Sequence, residues 1–170
     1  MFWRALLAFL VLPGVAAFVV PPVLAAIDPW RAGIVMPGAV VMLVGTGLLL
    51  WCVRDFYVSG KGTLAPWDPP KKLVVVGLYR HVRNPMYVGV LTLVAGWALL
   101  LASPVLLGYA LILAVGFHVR VLMNEEPWLE LRFGADWRHY RSEVRRWLPR
   151  LAPWRGGSPT RRRPDGADGP

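Results

Sequence analysis

Two short polar segments interrupt an otherwise apolar chain, and both carry residues able to hold a charged ligand. The first is Gly77-Leu-Tyr-Arg-His-Val-Arg-Asn-Pro-Met-Tyr-Val-Gly89. It places Tyr79, His81, Arg83, Asn84 and Tyr87 at the approach to an apolar stretch, with Asn84 positioned to cap a helix that Pro85 begins. A helix start with free N–H groups beside an arginine suits a carboxylate or a phosphate. Tyr79 and Arg80 are also adequately explained as headgroup anchors. The second segment, His118-Val-Arg-Val-Leu-Met-Asn-Glu-Glu126, ends an apolar stretch in two adjacent acids. Acids there are costly unless paired or functional. Glu125 and Glu126 either begin a helix in water, paired with Arg80 or Arg83, or belong to a site; spacing alone favours neither. His118 falls about two turns earlier, within the apolar stretch, so it is expected to face the protein interior. A lone histidine there is more often a hydrogen-bonding residue than a catalyst.

Other chemistries lose support. There is no glycine-rich phosphate loop, no H-x-x-x-H pair for zinc and no G-x-S-x-G nucleophile elbow. Gly60-Lys-Gly-Thr63 reads as a flexible turn. The single cysteine, Cys52, permits no disulfide within the chain and no thiolate metal cluster, and reads as a small buried hydrophobe.

The elements that must position the two segments are apolar. The chain of 170 residues is 56% hydrophobic and 17% charged, more apolar surface than one small soluble domain can bury. Four apolar stretches, 2–27, 34–53, 86–102 and 105–123, are each near the ~20 residues that cross a bilayer as helix. Pro13 and Pro21-Pro22 should kink or divide the first, leaving the span count open by one. Gly38, Gly45 and Gly47 suit close helix packing. Ser103-Pro104 joins the last two stretches as a tight hairpin.

The net charge of +9 is unevenly spread: six of 19 Lys and Arg lie in 54–83 and eleven lie from Arg120 onward. This asymmetry argues for anionic lipid rather than nucleic acid, and places both basic regions and both termini in the cytoplasm. The two polar segments then share one face of the membrane and can meet. From Asn124 to Leu148, Leu129, Phe133, Trp137, Tyr140, Val144 and Trp147 recur at helical spacing, predicting an amphipathic helix with Asn124 as N-cap. Such a helix either lies in the interface or closes over the spans. Residues 155–170 read as a disordered basic tail after a single domain, 1–154.

The core Arg83-Asn84-Pro85-Met86-Tyr87-Val88-Gly89 resembles the R-[HN]-P-x-Y-x-G signature of the isoprenylcysteine carboxyl methyltransferase and phospholipid methyltransferase superfamily. Asn124-Glu125-Glu126-Pro127 with Leu129, Phe133-Gly134, Tyr140 and Val144 resembles that superfamily's tail motif, and Gly60 to Pro66 resembles the preceding loop of bacterial members. The likeness spans roughly 54–150. It implies S-adenosylmethionine as methyl donor and a bacterial inner-membrane location. It also implies a pocket formed by Tyr79, His81, Arg83, Asn84, Pro85, Tyr87, Gly89, His118, Glu125 and Glu126, with Arg83 and Glu126 catalytic. Asn84 stands where eukaryotic members have His, Trp137 where the first tail Tyr is usual, and Arg145 where Pro is usual.

The expected fold is therefore all-α: a polytopic membrane bundle of about four to five spans with a C-terminal amphipathic helix. The expected activity is methyl transfer to a lipophilic acceptor, small molecule or lipid, whose head is a carboxylate, an amine or a thiol. A carboxylate needs alignment and desolvation; an amine also needs a proton acceptor, such as His81 or a glutamate. The rival expectations are an NADPH-dependent membrane reductase, since sterol reductases share this architecture, and a non-catalytic subunit that docks lipid or a partner. No metal and no nucleic acid is expected.

Overall fold

A computed structural model describes residues 10–59 and 73–156, with side chains described for 13–55 and 73–156. The Gly60–Thr63 turn, the chain's first nine residues and the tail from residue 157 lie outside the described residues. Every regular element described is helical. Helix α1 is a wide-pitched stretch, Leu10–Val19, running directly into Val20–Ile27. Helix α2 is Pro37–Ser59, α3 is Pro85–Leu100 and α4 is Pro104–Arg120. A wide turn, Val121–Glu125, carries α4 without a break into α5, Glu126–Glu143.

Length and composition let two of these helices cross a membrane: Pro37–Asp55, and the continuous helix Pro104–Glu143 through its apolar part. Pro13–Ile27 and Pro85–Leu100 are apolar but shorter. Leu43 and Ile112 are each 72% exposed on the outer faces of α2 and α4, an apolar surface that favours lipid over water.

The prolines of α1 have a visible consequence. Pro21 and Pro22 carry no N–H, so the carbonyls one turn earlier lose their helical partners. Side chains from the neighbouring helices take their place: Trp97 Nε1–H donates to the Ala17 carbonyl (3.2 Å) and the Tyr109 hydroxyl to the Ala16 carbonyl (3.0 Å). The break that weakens α1 thus ties it to α3 and α4.

Helices α2 and α3 run antiparallel in close contact. A Cβ at Gly38 would meet the Leu100 backbone, one at Gly96 the backbone of Met42, one at Gly45 the backbone of Leu93, and one at Gly89 the Leu49 side chain. The pairs step regularly along the two helices, small residues on each receiving bulk from the other. Ala17, Leu49, Val90, Leu93, Val94 and Ala110 form the core this contact encloses.

At one end of the bundle the 28–36 loop docks on the α3–α4 turn. Val35 N–H donates to the Leu100 carbonyl (2.7 Å), and the Ser103 hydroxyl donates to Asp28. Ser103 Oγ also accepts from Leu106 N–H at 3.1 Å, capping α4. Ser103 is buried, so Ser103→Ala leaves that N–H without its cap and should cost about 1 kcal/mol, read as a lower melting temperature in detergent.

At the opposite end, a second small core of Trp137, Tyr140 and Val144 packs with Leu73, Val75, Leu129, Phe133 and Trp154. Here the structure departs from the predicted helix in three ways. Asn124 caps nothing, because the chain is already helical on both sides of it. Helix α5 bends at Gly134, whose φ of 49° is one that L residues rarely adopt. Because of that bend Glu130 reaches Arg138 (3.1 Å) and Arg141 (2.9 Å), partners that a straight helix would hold about 12 Å or more away along its axis. Finally, the helix stops at Glu143 rather than Leu148, and Val144 is extended.

Candidate functional site

The chain beyond α5 is not a helix but a strap. Residues 145–154 lie along the 80–84 segment, joined by main-chain bonds from Arg83 N–H to the Arg145 carbonyl, Arg150 N–H to the His81 carbonyl and Trp154 N–H to the Arg80 carbonyl, each 2.9 Å. Side chains add to the seam. Arg80 Nε–H donates to the Trp154 carbonyl (2.6 Å), His81 Nδ1 meets the Arg150 carbonyl (2.9 Å), and Asn84 Nδ2–H donates to the Arg146 carbonyl (3.3 Å). The Tyr140 hydroxyl closes it on the Tyr79 carbonyl at 2.6 Å.

These contacts locate several predicted residues. Asn84 occupies the N-cap position of α3, but its side chain is turned to the strap and caps nothing. A carbonyl can only accept, so His81 Nδ1 carries the proton, and the ring's role is to hold the strap. Arg80 binds the strap and not the acids. Pro85 is buried at the first turn of α3, where its missing N–H costs nothing. Gly89 is buried against Leu49 of α2 and serves the helix contact.

Arg83 and Glu126 do meet, at 3.0 Å, with side chains only 10% and 13% exposed. The strap brings a third partner: Arg146 donates to both carboxylate oxygens of Glu126, Nε at 2.6 Å and an Nη at 2.9 Å. Such a two-point pairing is among the stronger charged contacts. Arg83 also lies over the Trp137 ring, 5.4 Å from its centre. Burial pushes its guanidinium pKa down, but an arginine stays charged. Burial likewise opposes ionisation of Glu126, yet the Arg146 hydrogen bond and the Arg83 charge more than offset it and hold the carboxyl below its usual range. Two guanidiniums thus share one carboxylate, leaving the cluster with an excess positive charge. Arg83 Nε is buried with no hydrogen-bond partner among the described residues.

Glu125 points elsewhere. It accepts from the Tyr87 hydroxyl and from Arg120 Nε (3.0 Å), while the Tyr87 ring stacks on Phe117 at 4.4 Å. The wide turn explains the split. Glu126 N–H bonds to the Val121 carbonyl, five residues back, and the extra residue rotates the following face of the helix.

His118 is exposed rather than interior. It lines a groove of about 490 Å³ with Val88, Leu91 and Thr92 of α3, Ala114 and Val115 of α4, and Trp147 of the strap. That volume is in the ~300–1,000 Å³ range of small-molecule sites. Trp147 Nε1–H donates to His118 Nδ1 at 3.1 Å. Arg146 and Trp147 were not among the predicted site residues. Pro149 restricts only Leu148, where the predicted helix already ended, so nothing local marked 144–147 as leaving the helix.

Residues 34–136 match the family described as phospholipid methyltransferase. An uncharacterized protein of Haemophilus influenzae is 32% identical over 63 residues, which cover 37% of this chain and all of that protein. No solved structure matches.

Proposed function

From the premise that the chain belongs to the phospholipid methyltransferase family, we propose that it transfers a methyl group from S-adenosylmethionine to a lipophilic acceptor at the cytoplasmic membrane face. One observation carries the reading. The approach to α3, the start of α5 and the strap share a largely buried cluster, Arg83, Glu126 and Arg146, and the next strap residue, Trp147, lines the apolar groove between α3 and α4.

The residues present suit the donor. It bears a carboxylate, an ammonium and ribose hydroxyls. The cluster's excess positive charge and the unpartnered Arg83 Nε suit the carboxylate. Glu125 and Tyr87 offer oxygens to the ammonium and hydroxyls, while Glu126 is committed to its two guanidiniums. Bound there, the sulfonium would supply an activated methyl group. The protein's own part is alignment and exclusion of water. Arg83 and Arg146 hold charge in place before reaction, and the strap covers the cluster. The groove would admit an apolar chain sideways from the bilayer. In this reading the four apolar stretches are spans, and the basic surfaces put the cluster and both termini in the cytoplasm. The exposed Leu131, Leu148 and Leu151 beside arginines suit the headgroup layer.

The test is incubation of the full chain with radiolabelled S-adenosylmethionine and a host membrane extract. The wild type should label a solvent-extractable molecule, and Arg83→Gln should reduce labelling on the order of 100-fold by removing a preorganised charge. Equal labelling by the two proteins would place the site elsewhere.

A further inference from the structure

The groove between α3 and α4 is apolar apart from Thr92 and the His118–Trp147 pair. Thr92 commits its proton to the Val88 carbonyl of its own helix (2.8 Å). The indole N–H of Trp147 can only donate, so His118 Nδ1, which receives it, must hold a lone pair. A neutral ring then carries its proton on Nε2. Nε2–H has no partner among the described residues, and it belongs to a residue that lines the groove. The opposite tautomer holds at His81, whose Nδ1 bears the proton, but His81 faces the strap and does not line the groove.

Nor does the groove contain a ready base. Glu125 accepts from Tyr87 and Arg120, and Glu126 from Arg83 and Arg146; neither carboxylate lines the groove. A protonated amine in the groove would face a histidine N–H with no carboxylate beside it and no acceptor for its proton. An oxygen anion would accept from Nε2–H and has no proton to lose.

Resting on the methyl-transfer reading, we propose that His118, held by Trp147 as an Nε2–H donor, selects the acceptor, admitting an apolar chain headed by an oxygen anion and rejecting one headed by an amine. This assigns His118 to the acceptor and not to the methyl donor. In the transfer the oxygen lone pair forms the bond to the methyl carbon as the methyl–sulfur bond breaks. The electron pair of that bond goes to sulfur, and no proton is released. Trp147 is then a positioning residue, acting through the ring it orients.

The test is equilibrium binding of palmitate, hexadecyl phosphate and hexadecylamine to the full chain in neutral detergent, with binding of labelled S-adenosylmethionine measured separately. The wild type should bind at least one of the two anions about tenfold more tightly than the amine, the worth of one charged hydrogen bond. The anion that prevails tells a carboxylate head from a phosphate head. His118→Phe should abolish the preference, and His118→Gln, which returns an N–H near Nε2, should restore most of it. Trp147→Phe keeps the ring but frees Nδ1, and should narrow the preference. All three should bind the methyl donor as the wild type does. Equal binding of anions and amine by a wild type that binds the methyl donor would overturn the acceptor assignment alone. So would a preference that survives His118→Phe. A wild type that fails to bind the donor would overturn the methyl-transfer reading and this one with it.

Discussion

Glu126→Gln is expected to abolish most methyl transfer and to destabilise the fold by about 3 kcal/mol, the lower end of the range for breaking a buried ion pair. The lower end applies because the Arg146 side chain is 26% exposed, so water softens the loss. The neutral amide can still accept one hydrogen bond but cannot balance two guanidiniums, and Arg83 and Arg146 then repel across the site. Because Arg146 belongs to the strap, its release should also loosen the main-chain seam, seen as faster amide exchange in 145–154. The pH dependence has a definite sign. The folded-state pKa of Glu126 lies below its ordinary value of 4.5, so its contribution is complete above that pH. It is lost as pH falls from there through the folded value. Acidification below about pH 4.5 should therefore lower the wild-type melting temperature by an increment that Glu126→Gln lacks. Identical acid limbs in the two proteins would mean the carboxylate is not held as described.

The second large effect lies far from any chemistry. Gly45→Ala puts a Cβ 2.5 Å from the Leu93 backbone nitrogen and 2.7 Å from its Cα. Backbone cannot swing aside as a side-chain tip can, so α2 and α3 must separate. Overpacking of this kind costs roughly 1–3 kcal/mol, and a contact between whole helices should reach the upper end. Gly47→Ala, two residues away, is the control. Gly47 is exposed with nothing within 4 Å of its Cβ position, so alanine there should be neutral or stabilising by up to about 1 kcal/mol. Thermal melts of both variants in one detergent decide the matter: similar melting temperatures would mean the helices are not packed at this distance.

Much of this molecule was legible before any coordinates. The apolar stretches marked the helices because hydrophobic runs of that length have few other uses. Gly38 and Gly45 pointed to close packing, whereas Gly47, expected to join them, faces outward, and the pairing of Arg83 with Glu126 was one of two stated partners for that acid. Local composition suffices for such features, since each depends on the residue and its near neighbours. Distances in space settled the rest. The extra residue in the turn at 121–125 sends adjacent glutamates to different arginines, and periodicity gives no warning of it. The strap is held by main-chain bonds, which any sequence can make, so Arg146, Trp147 and the tautomers of His81 and His118 followed only from where two distant segments lie. The amphipathic spacing of 129–147 was real as a pattern, but Gly134 bent it and Val144 ended it, because a backbone angle of that sign and a seam with 80–84 outweigh helical preference. Residue chemistry thus determined which groups were available, and long-range backbone pairing decided which of them face one another.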